Sequence, residues 1–249
     1  MNPTLTITPT ADGSNTIYNS EVGENYHSRN GALQESRHVF LESGLKYFLS
    51  KLSNQAEAKV SPTGGDLEGA DGADVSILEV GFGTGLNFLL SADYCIAQNI
   101  NLNYTGIEAY PLTPEMLSQT EYNQYVSPQL WQEFIANYLT ALQNPVSLQT
   151  ANCKPPTVNC QLQIKNCKLL DFQSPQKFDV IYFDAFASTH QPEMWDEQTI
   201  THTLKFLKPG GVFVTYAITG NLKRIIKSRG LKVEKAPGAP GKREMLRAY

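Results

Sequence analysis

The amino-acid sequence predicts an α/β fold, in which a mostly parallel sheet is covered by helices on both faces. Short apolar segments alternate along the chain with longer segments of helical periodicity, a pattern typical of parallel strands joined by crossover helices. A glycine-rich turn connects the first apolar segment, Val75 to Val80, to a helical segment that begins at Leu86. This strand, turn and helix indicate the entry of a nucleotide-binding βαβ unit.

The strands are predicted from their apolar content and from the turn residues around them. The sequence predicts a seven-stranded sheet, with strands at residues 75–80, 101–108, 161–167, 178–184, 212–217, 231–235 and 243–249. A Lys-Pro-Gly-Gly turn precedes the fifth strand. A loop rich in Pro and Gly joins the last two, so we expect them to form a closing hairpin with an antiparallel last strand.

The remaining segments complete one predicted domain, residues 1–249. Residues 1–16 are predicted as a leading strand or tail, and residues 18–32 as a loop, because they are polar and aromatic without clear periodicity. A helix follows from Leu33. Residues 53–74 are rich in Gly, Ala, Asp and Ser, which predicts a flexible insertion.

Composition narrows the class of protein. No apolar run approaches the ~20 residues that span a bilayer, and the N-terminus lacks the layout of a signal peptide, so the cytoplasm is the expected location. The four cysteines, Cys95, Cys153, Cys160 and Cys167, lack the short paired spacing of zinc sites. We therefore expect free thiols and no metal.

Charge is distributed unevenly along the chain. The net charge is −4, but residues 205–249 hold eleven Lys and Arg against two Glu, which is a local +9. A basic C-terminal region on an acidic body is the asymmetry expected if one face meets phosphate groups. The candidate cations are Lys223, Arg224, Lys227 and Arg229 on one short helix, and Lys242 and Arg243 in the final hairpin turn.

The spacing of the glycines in the turn distinguishes a dinucleotide-binding site from other nucleotide-binding sites. A dinucleotide fingerprint reads G-x-G-x-x-G, whereas this turn reads Gly81-Phe82-Gly83-Thr84-Gly85, with Glu79 inside the preceding strand and Asn87 in the helix after it. The alternative interpretation is a purely structural turn between strand and helix.

Two further strands end in an acidic residue. Glu108 closes the second strand, where a carboxylate suits the two hydroxyl groups of a ribose. Asp184 closes the fourth strand, at the sheet edge where ligands of open α/β sheets bind. The structural alternatives are an exposed strand-end Glu and an Asp that caps the next turn.

The turn and the acidic strand ends resemble the Rossmann-like class I S-adenosylmethionine (AdoMet) methyltransferases. Several linked motifs are similar more specifically to the methyltransferase domain of the MnmC family. They are Tyr26-His27-Ser28, Asn30-Gly31-Ala32, Glu35 to Leu41, Leu78 to Asn87, Phe183 to Ala187, Gln191 to Trp195 and Gly241 to Met245. The chain departs from the family at Ser188, where Pro is usual, and at Lys168, where an acid is usual.

The resemblance implies N-methylation of the aminomethyl group on a modified wobble uridine of tRNA, giving 5-methylaminomethyl-(2-thio)uridine. Larger members carry an FAD-dependent oxidase domain as well. The length of this chain fits the stand-alone form, so the resemblance implies a separate oxidase partner. The implied cofactor is AdoMet, held by Glu79, Gly81, Phe82, Gly83, Gly85, Asn87, Glu108 and Asp184.

Methyl transfer from a sulfonium to an amine requires an unprotonated nitrogen, and an alkyl amine is mostly protonated at neutral pH. An acid that accepts or directs the proton would help, and Asp184 is the expected catalytic residue. Tyr26 is a candidate lid or base-stacking residue. With Lys242 and Arg243, it completes the expected substrate-binding set.

Three alternatives remain open. Aminopropyltransferases share this fold, but their glycine-rich turn is similar to Gly-Gly-Gly-Asp-Gly, which this chain lacks. A non-catalytic nucleotide-binding module is disfavoured by the acidic residues gathered at one sheet edge. A methyltransferase that acts on another amine or small molecule would have the same cofactor motifs.

Overall fold

The computed structural model describes residues 5–59, 73–148 and 158–249. The chain begins with a small antiparallel sheet of three strands, β1 Leu5–Pro9, β2 Asn15–Asn19 and β3 Glu24–Asn25. Strand β1 lies in the segment predicted as a leading strand or tail, β2 runs from the end of that segment into the predicted loop, and β3 lies within the loop. Alternating Leu5 and Ile7 pack against the main core, which explains why the hairpin forms.

The main sheet has eight strands in the described residues. They are β4 Asp74–Val80, β5 Asn101–Glu108, β6 Val146–Leu148, β7 Cys160–Asn166, β8 Phe178–Phe183, β9 Leu207–Thr215, β10 Val233–Pro237 and β11 Glu244–Ala248. The sheet order is β10-β11-β9-β8-β4-β5-β7-β6. The central five strands are parallel, and β11 is antiparallel to β9.

Helical segments connect these strands. They are α1 Ala32–Glu35, a π-helical stretch Ser36–Lys46, α2 Tyr47–Lys59, α3 Leu86–Ala97, α4 Pro114–Ser118, α5 Pro128–Ala141, α6 Glu197–Leu204 and α7 Gly220–Ser228. Short 3₁₀ turns lie at Tyr122–Gln124, Leu169–Asp171 and Pro192–Trp195.

The α/β class and the mostly parallel sheet are confirmed, and three details are corrected. The sheet has eight strands rather than seven, because the edge strand β6 has only three residues and gives no periodic signal. Strand β9 already begins at Leu207, so the Lys-Pro-Gly-Gly motif lies within a strand whose pairing with β8 is irregular. Of the predicted 53–74 insertion, residues 53–59 continue α2 and Asp74 opens β4, while residues 60–72 lie outside the described residues.

The core lies on both faces of the sheet. Consecutive residues of β4 alternate between two apolar clusters, with Ile77 in one and Leu78 in the other. The first cluster includes residues of the Ala32–Lys59 helical segment, α3 and α5, and the second includes residues of α6 and α7. Helices therefore cover both faces, and the burial of β4 on both sides explains its unbroken apolar run.

The topology places a crevice at the carboxyl end of β4. The chain proceeds from β4 to β5 on one side, while β8 pairs with β4 on the other side. Crevices of this kind, at the point where the strand order reverses, are the ligand sites of open α/β sheets. No helix within the described ranges is long and apolar enough to cross a membrane.

Candidate active site

The glycine turn after β4 is held tightly against its neighbours. The amide groups of Gly81 and Phe82 both donate to the carbonyl oxygen of Ile107, at 3.0 and 3.1 Å. Gly81 has φ +83°, and a Cβ atom there would lie 2.5 Å from the carbonyl oxygen of Asp184. The approach of the β8 terminus to the turn, together with the left-handed conformation, therefore requires glycine at position 81.

Phe82 supports this turn from below and does not face the crevice. Its side chain is 2% exposed and packs among Phe88, Tyr104 and Phe134. A Cβ on the neighbouring Gly106 would lie 2.4 Å from the Phe82 ring. The Phe82 side chain thus has a packing role, since an apolar side chain beneath a turn is buried more favourably than exposed, and a cofactor contact through its backbone stays a prediction.

One side-chain amide group, that of Asn87, bridges two carboxyl groups next to the turn. Asn87 Nδ2 donates to Glu79 Oε1 at 2.7 Å and to Asp184 Oδ2 at 2.9 Å. Tyr104 donates its hydroxyl to Glu79 Oε2 at 2.8 Å. Burial, with repulsion from Asp184, raises the pKa of Glu79 well above its usual range. The structure therefore brings together three predicted site residues that are far apart in sequence.

Glu108 lies at the end of β5 beside the turn. Its Oε2 accepts from the Gly83 amide at 2.9 Å, and its Oε1 accepts from the Tyr110 amide at 3.0 Å. Each oxygen retains a lone pair for another donor. Burial raises the pKa of Glu108, while the backbone donors act in the opposite direction.

A cavity of about 350 Å³ opens next to Asp184. Three carboxylate side chains line it: Asp184, Glu24 from β3 and Glu35 from α1. Glu24 Oε2 accepts from the Ala187 amide at 2.8 Å, and Glu35 Oε2 accepts from the Ser28 amide at 2.8 Å. Arg29 and Lys242 line the same cavity, so its acidic side chains exceed its basic ones by one, and this small excess favours a cationic group.

Aromatic rings form the other walls of the cavity. The Tyr26 and Phe186 rings meet edge to face, with centroids 5.1 Å apart, and Tyr216 lines the same space. The Tyr26 ring also covers the glycine turn, since a Cβ on Gly83 would lie 2.9 Å from it. Tyr26 thus lies over the crevice as predicted, although which ligand it contacts stays a prediction.

The carboxyl group of Asp184 has an unusual proton affinity. Burial raises the pKa of Asp184 to about 8, and repulsion from Glu35 and Glu24 adds to the rise. The amide of Asn87 and the ammonium group of Lys242 act in the opposite direction. A carboxyl group that titrates near neutral pH in a cleft is a candidate for proton transfer.

The structure separates Lys242 from Arg243. Lys242 points into the cavity, where its ammonium group pairs with the buried Glu35 and lies 4.1 Å from the centroid of the Tyr216 ring. Arg243 is exposed. The charge of Lys242 is thus already paired at the cavity, and a phosphate contact by either side chain stays a prediction.

The other predicted cations lie on α7, which buries Leu222, Ile225 and Ile226. Arg224, Lys227 and Arg229 are exposed, and Arg229 pairs with Glu197 at 3.0 Å. The helix starts shortly after the carboxyl end of β9, so its first turn is nearest to the crevice edge.

His27 connects the N-terminal segment to the glycine turn. Its Nε2 lies 2.7 Å from the hydroxyl of Thr84, and its amide donates to Thr16 Oγ1 at 3.0 Å. Burial lowers the pKa of His27 to about 4, so the ring is neutral at pH 7. A neutral imidazole bonded to the turn couples β3 and the residues after it to the crevice.

Sequence reasoning missed several residues of the cavity. They are Glu24, Asn25, Arg29, Glu35, Phe186, His190 and Tyr216. Three of the seven, Glu24, Asn25 and Arg29, lie in the segment predicted as loop, where side chains have no periodic pattern. For Phe186, the sequence offered one indication, its place in the motif Phe183 to Ala187. Trp195 fixes the backbone of this motif, because its Nε1 donates to the Phe186 carbonyl at 2.7 Å.

No group of three or more His, Cys, Asp or Glu residues that could hold a metal lies within the described ranges. Cys95, Cys160 and Cys167 are free thiols as predicted. Cys153 lies outside the described residues.

Comparison with known proteins supports a specific family. Residues 125–249 match the model of a family described as S-adenosyl-L-methionine-dependent methyltransferase. The chain is 28% identical over 229 residues to the tRNA 5-methylaminomethyl-2-thiouridine biosynthesis bifunctional protein MnmC of Pseudomonas fluorescens, covering 89% of this chain and 31% of that protein. It is 29% identical over 237 residues to the protein of the same name from Methylobacillus flagellatus, covering 92% of this chain and 33% of that protein.

The chain thus spans about a third of the length of these curated relatives. Among solved structures, MnmC2 from Aquifex aeolicus is similar with a TM-score of 0.67 and 20% sequence identity, covering 98% of this chain and 70% of that chain. This similarity concerns the fold.

Proposed function

We propose, since the chain belongs to the S-adenosyl-L-methionine-dependent methyltransferase family, that it methylates the aminomethyl group on a modified wobble uridine of tRNA, giving 5-methylaminomethyl-(2-thio)uridine. Its fold is the Rossmann-like class I methyltransferase fold, and its cofactor is AdoMet. The observation that carries the substrate proposal is the acidic, aromatic-walled cavity beside the glycine turn. The similarity of the chain to proteins named for 5-methylaminomethyl-2-thiouridine biosynthesis supports the same substrate.

The residues around the turn fit AdoMet. The free lone pairs of Glu108 suit the ribose hydroxyls. The side-chain oxygen of Asn87 is buried without a hydrogen-bond partner among the described residues, and it would accept from the α-ammonium group of the methionine end. We assign Glu79 to orient Asn87, and Gly81, Gly83 and Gly85 to let the ligand approach the backbone. AdoMet, when bound, supplies a methyl group that leaves a sulfonium sulfur as the amine nitrogen takes it.

The cavity offers one place for the charge of the substrate and another for its base. The ammonium group of a 5-aminomethyl substituent would lie among Glu24, Glu35 and Asp184. The uracil ring would lie against Tyr26 and Phe186, since bases stack on aromatic side chains.

Asn25 supplies a further hydrogen-bonding group in this cavity. Its side-chain oxygen is buried and has no hydrogen-bond partner within the described ranges. Because a buried acceptor without a partner is costly, a donor such as the N3–H group of uracil would stabilise it. Asn25 would thus help to select uracil.

Asp184 performs the proton transfer in this proposal. The substrate amine has an ordinary pKa near the ~10.4 of lysine, so it binds protonated and its lone pair is unavailable. The ionised form of Asp184, which is the minority form below pH 8, accepts one proton from the ammonium group, which leaves a neutral amine and a neutral carboxyl group. Because the pKa of Asp184 is raised to about 8, its proton affinity lies closer to that of the amine than an ordinary carboxylate would, and the transfer costs less.

The same acidic cavity would also accept an amine on another molecule, which is the second candidate function. If the substrate is tRNA, an oxidase domain or partner would supply the free aminomethyl group in those tRNAs that first carry a carboxymethylaminomethyl group. The enzyme would work in the cytoplasm.

The test is mass spectrometry of nucleosides after incubation of the protein with AdoMet and tRNA. One tRNA pool carries 5-aminomethyl uridine, a second carries the carboxymethylaminomethyl form, and a third is unmodified. We expect a mass gain of one CH₂ on the first pool alone. Modification of the unmodified pool, or of none while free small amines are methylated, would contradict the tRNA proposal.

A further inference from the structure

The ion pair between Glu35 and Lys242 connects two distant parts of the chain inside the cavity. Glu35 ends α1, and Lys242 lies in the turn between β10 and β11. The Glu35 side chain is 6% exposed and that of Lys242 is 31% exposed. A partly buried ion pair adds little net stability, because desolvation of its buried member, here Glu35, offsets the attraction between the charges. Its location beside Asp184 therefore calls for another explanation.

Both partners are fixed by further contacts. Glu35 holds the Ser28 amide with its second oxygen, so its carboxylate cannot rotate freely. The ammonium group of Lys242 lies over the Tyr216 ring, and the Tyr216 hydroxyl donates to the carbonyl of Ala185, the residue after Asp184. The pair is thus connected to the backbone that carries Asp184.

We propose that the Glu35–Lys242 pair controls when Asp184 holds a proton, so that both residues are positioning residues for methyl transfer. This inference rests on the proposed function for its kinetic meaning, although the effect on Asp184 is a property of the protein alone. The two charges oppose each other: Glu35 disfavours a negative Asp184, and Lys242 favours it.

The pair acts against a background of other groups that face Asp184. These groups are Glu24 from β3, Glu79 from β4, Tyr104 from β5 and Tyr216 after β9, with His27, Arg29 and His190 elsewhere around the same cavity. Within this set, Lys242 is the cation that counters the burial of Asp184. Glu35 keeps the Lys242 ammonium group on the Tyr216 side, so Asp184 keeps enough proton affinity to act as a base and is not locked in a permanent ion pair.

The proposal predicts opposite effects for the two single variants. Lys242→Met removes the positive charge and should move the midpoint of the pH–rate profile, and of the Asp184 titration, upward by about one pH unit. Glu35→Gln removes the negative charge and frees Lys242, so both midpoints should move downward. The double variant loses both charges and should return close to the wild-type midpoint.

Two measurements on the full-length protein test this. The first is the titration of Asp184 by carbon NMR of labelled aspartate carboxyl groups in the free protein, with Asp184→Asn used to assign the signal. The second is the pH dependence of methyl transfer to 5-aminomethyl tRNA at saturating AdoMet. Thermal unfolding of each variant shows whether it is folded.

The outcomes separate the inference from its rivals. If both single variants leave the NMR midpoint of Asp184 unchanged, the inference is wrong, whether or not they lower stability. If Lys242→Met only raises the KM for tRNA and reduces its salt dependence, Lys242 contacts phosphate and the inference also fails. If the wild-type protein does not methylate tRNA but the NMR midpoints move as expected, the proposed function fails while the control of Asp184 stands.

Discussion

Asn87 shows how one side chain can organise a site. Its amide group donates to two carboxyl groups, and its oxygen has no partner among the residues that the structure describes. A buried amide normally satisfies both ends, which is why the proposal pairs this oxygen with a donor group of AdoMet. Glu79 and Asp184 therefore do different work: one fixes the amide from behind, and the other remains at the cavity.

Replacement of Asp184 by Asn should lower the rate of methyl transfer by about 10²–10⁴-fold, the range of general acid–base catalysis. AdoMet binding should change little, because the amide keeps an oxygen that can accept from Asn87. Single-turnover kinetics and calorimetry with AdoMet measure the two effects. Wild-type turnover by this variant across neutral pH would exclude the proton role.

The same substitution should stabilise the protein at neutral pH. The pKa of Asp184 is raised from 3.8 to about 8 on folding, so between these values the unfolded chain has lost a proton that the folded protein keeps. The free energy of unfolding therefore falls as pH rises through this window. Asp184→Asn removes that dependence. At pH 8 we expect the Tm of Asp184→Asn to exceed the wild-type value, by roughly 2–4 °C for each kcal/mol of unfolding free energy gained. Near pH 4 the two Tm values should match.

Glu108 gives a test of cofactor geometry. Glu108→Gln keeps an acceptor for the Gly83 amide but removes the charge that we propose for the ribose hydroxyls, so AdoMet affinity should fall by about 1.5–3 kcal/mol. Calorimetry with AdoMet measures this. Glu42→Gln, at an exposed salt bridge on the π-helical stretch, is the matched control and should bind normally. Equal affinity in both variants would remove Glu108 from the site.

At the scale of elements, the N-terminal sheet and the residues after it form one side of the cavity. Asp12 and Ser14, in the turn between β1 and β2, accept amide hydrogen bonds from residues at the start of α1. The unit therefore places Glu35 at the end of α1 and Glu24 on β3 in fixed relation to each other. Two of its hydrogen bonds to the crevice are the contact between His27 and Thr84 and the one from the Ala187 amide to Glu24.

Thr84→Val removes that hydrogen bond and leaves the buried His27 ring without it. We expect a loss of about 1–3 kcal/mol in stability, the cost of an unsatisfied buried group, and a higher KM for both AdoMet and tRNA. Thr84→Ser keeps the hydroxyl and serves as the control. Denaturant unfolding and steady-state kinetics provide the measurements, and a variant that behaves like Thr84→Ser in both would show that the contact is dispensable.

The elements differ in how far the sequence could predict them. Strands β4, β5 and β8 are buried runs with an acidic residue at or next to their carboxyl end, so the sequence predicts both the strands and the candidate site residues. Strand β3 has two residues, and the loop after it has no period, so Glu24, Asn25 and Arg29 gave no signal. The contact of Lys242 with Glu35 joins residues 207 positions apart, and only tertiary packing determines it.

At the scale of the whole molecule, the structure changes which basic residues are candidates for contact with phosphate. Of the cations that the sequence assigned to phosphate contact, Lys242 is paired in the cavity and Arg229 is paired with Glu197. Arg243 is exposed next to Lys242, and Arg29 is an exposed residue at the cavity. The candidate cations for phosphate contact are therefore the exposed Arg224 and Lys227 of α7, Arg243, and Arg29 from the N-terminal segment.

These cations lead to the last prediction, which concerns salt. Each phosphate contact releases counterions, so each lost contact should reduce the slope of log affinity against log salt by about 0.7–0.9. Arg243→Gln and Arg29→Gln should each weaken tRNA binding and flatten its salt dependence by about this amount, while AdoMet affinity stays unchanged. Lys177→Gln is the control, since Lys177 precedes β8 and thus lies at the opposite edge of the sheet. If all three variants bind tRNA with the wild-type slope, the phosphate contacts lie elsewhere and the cavity alone selects the substrate.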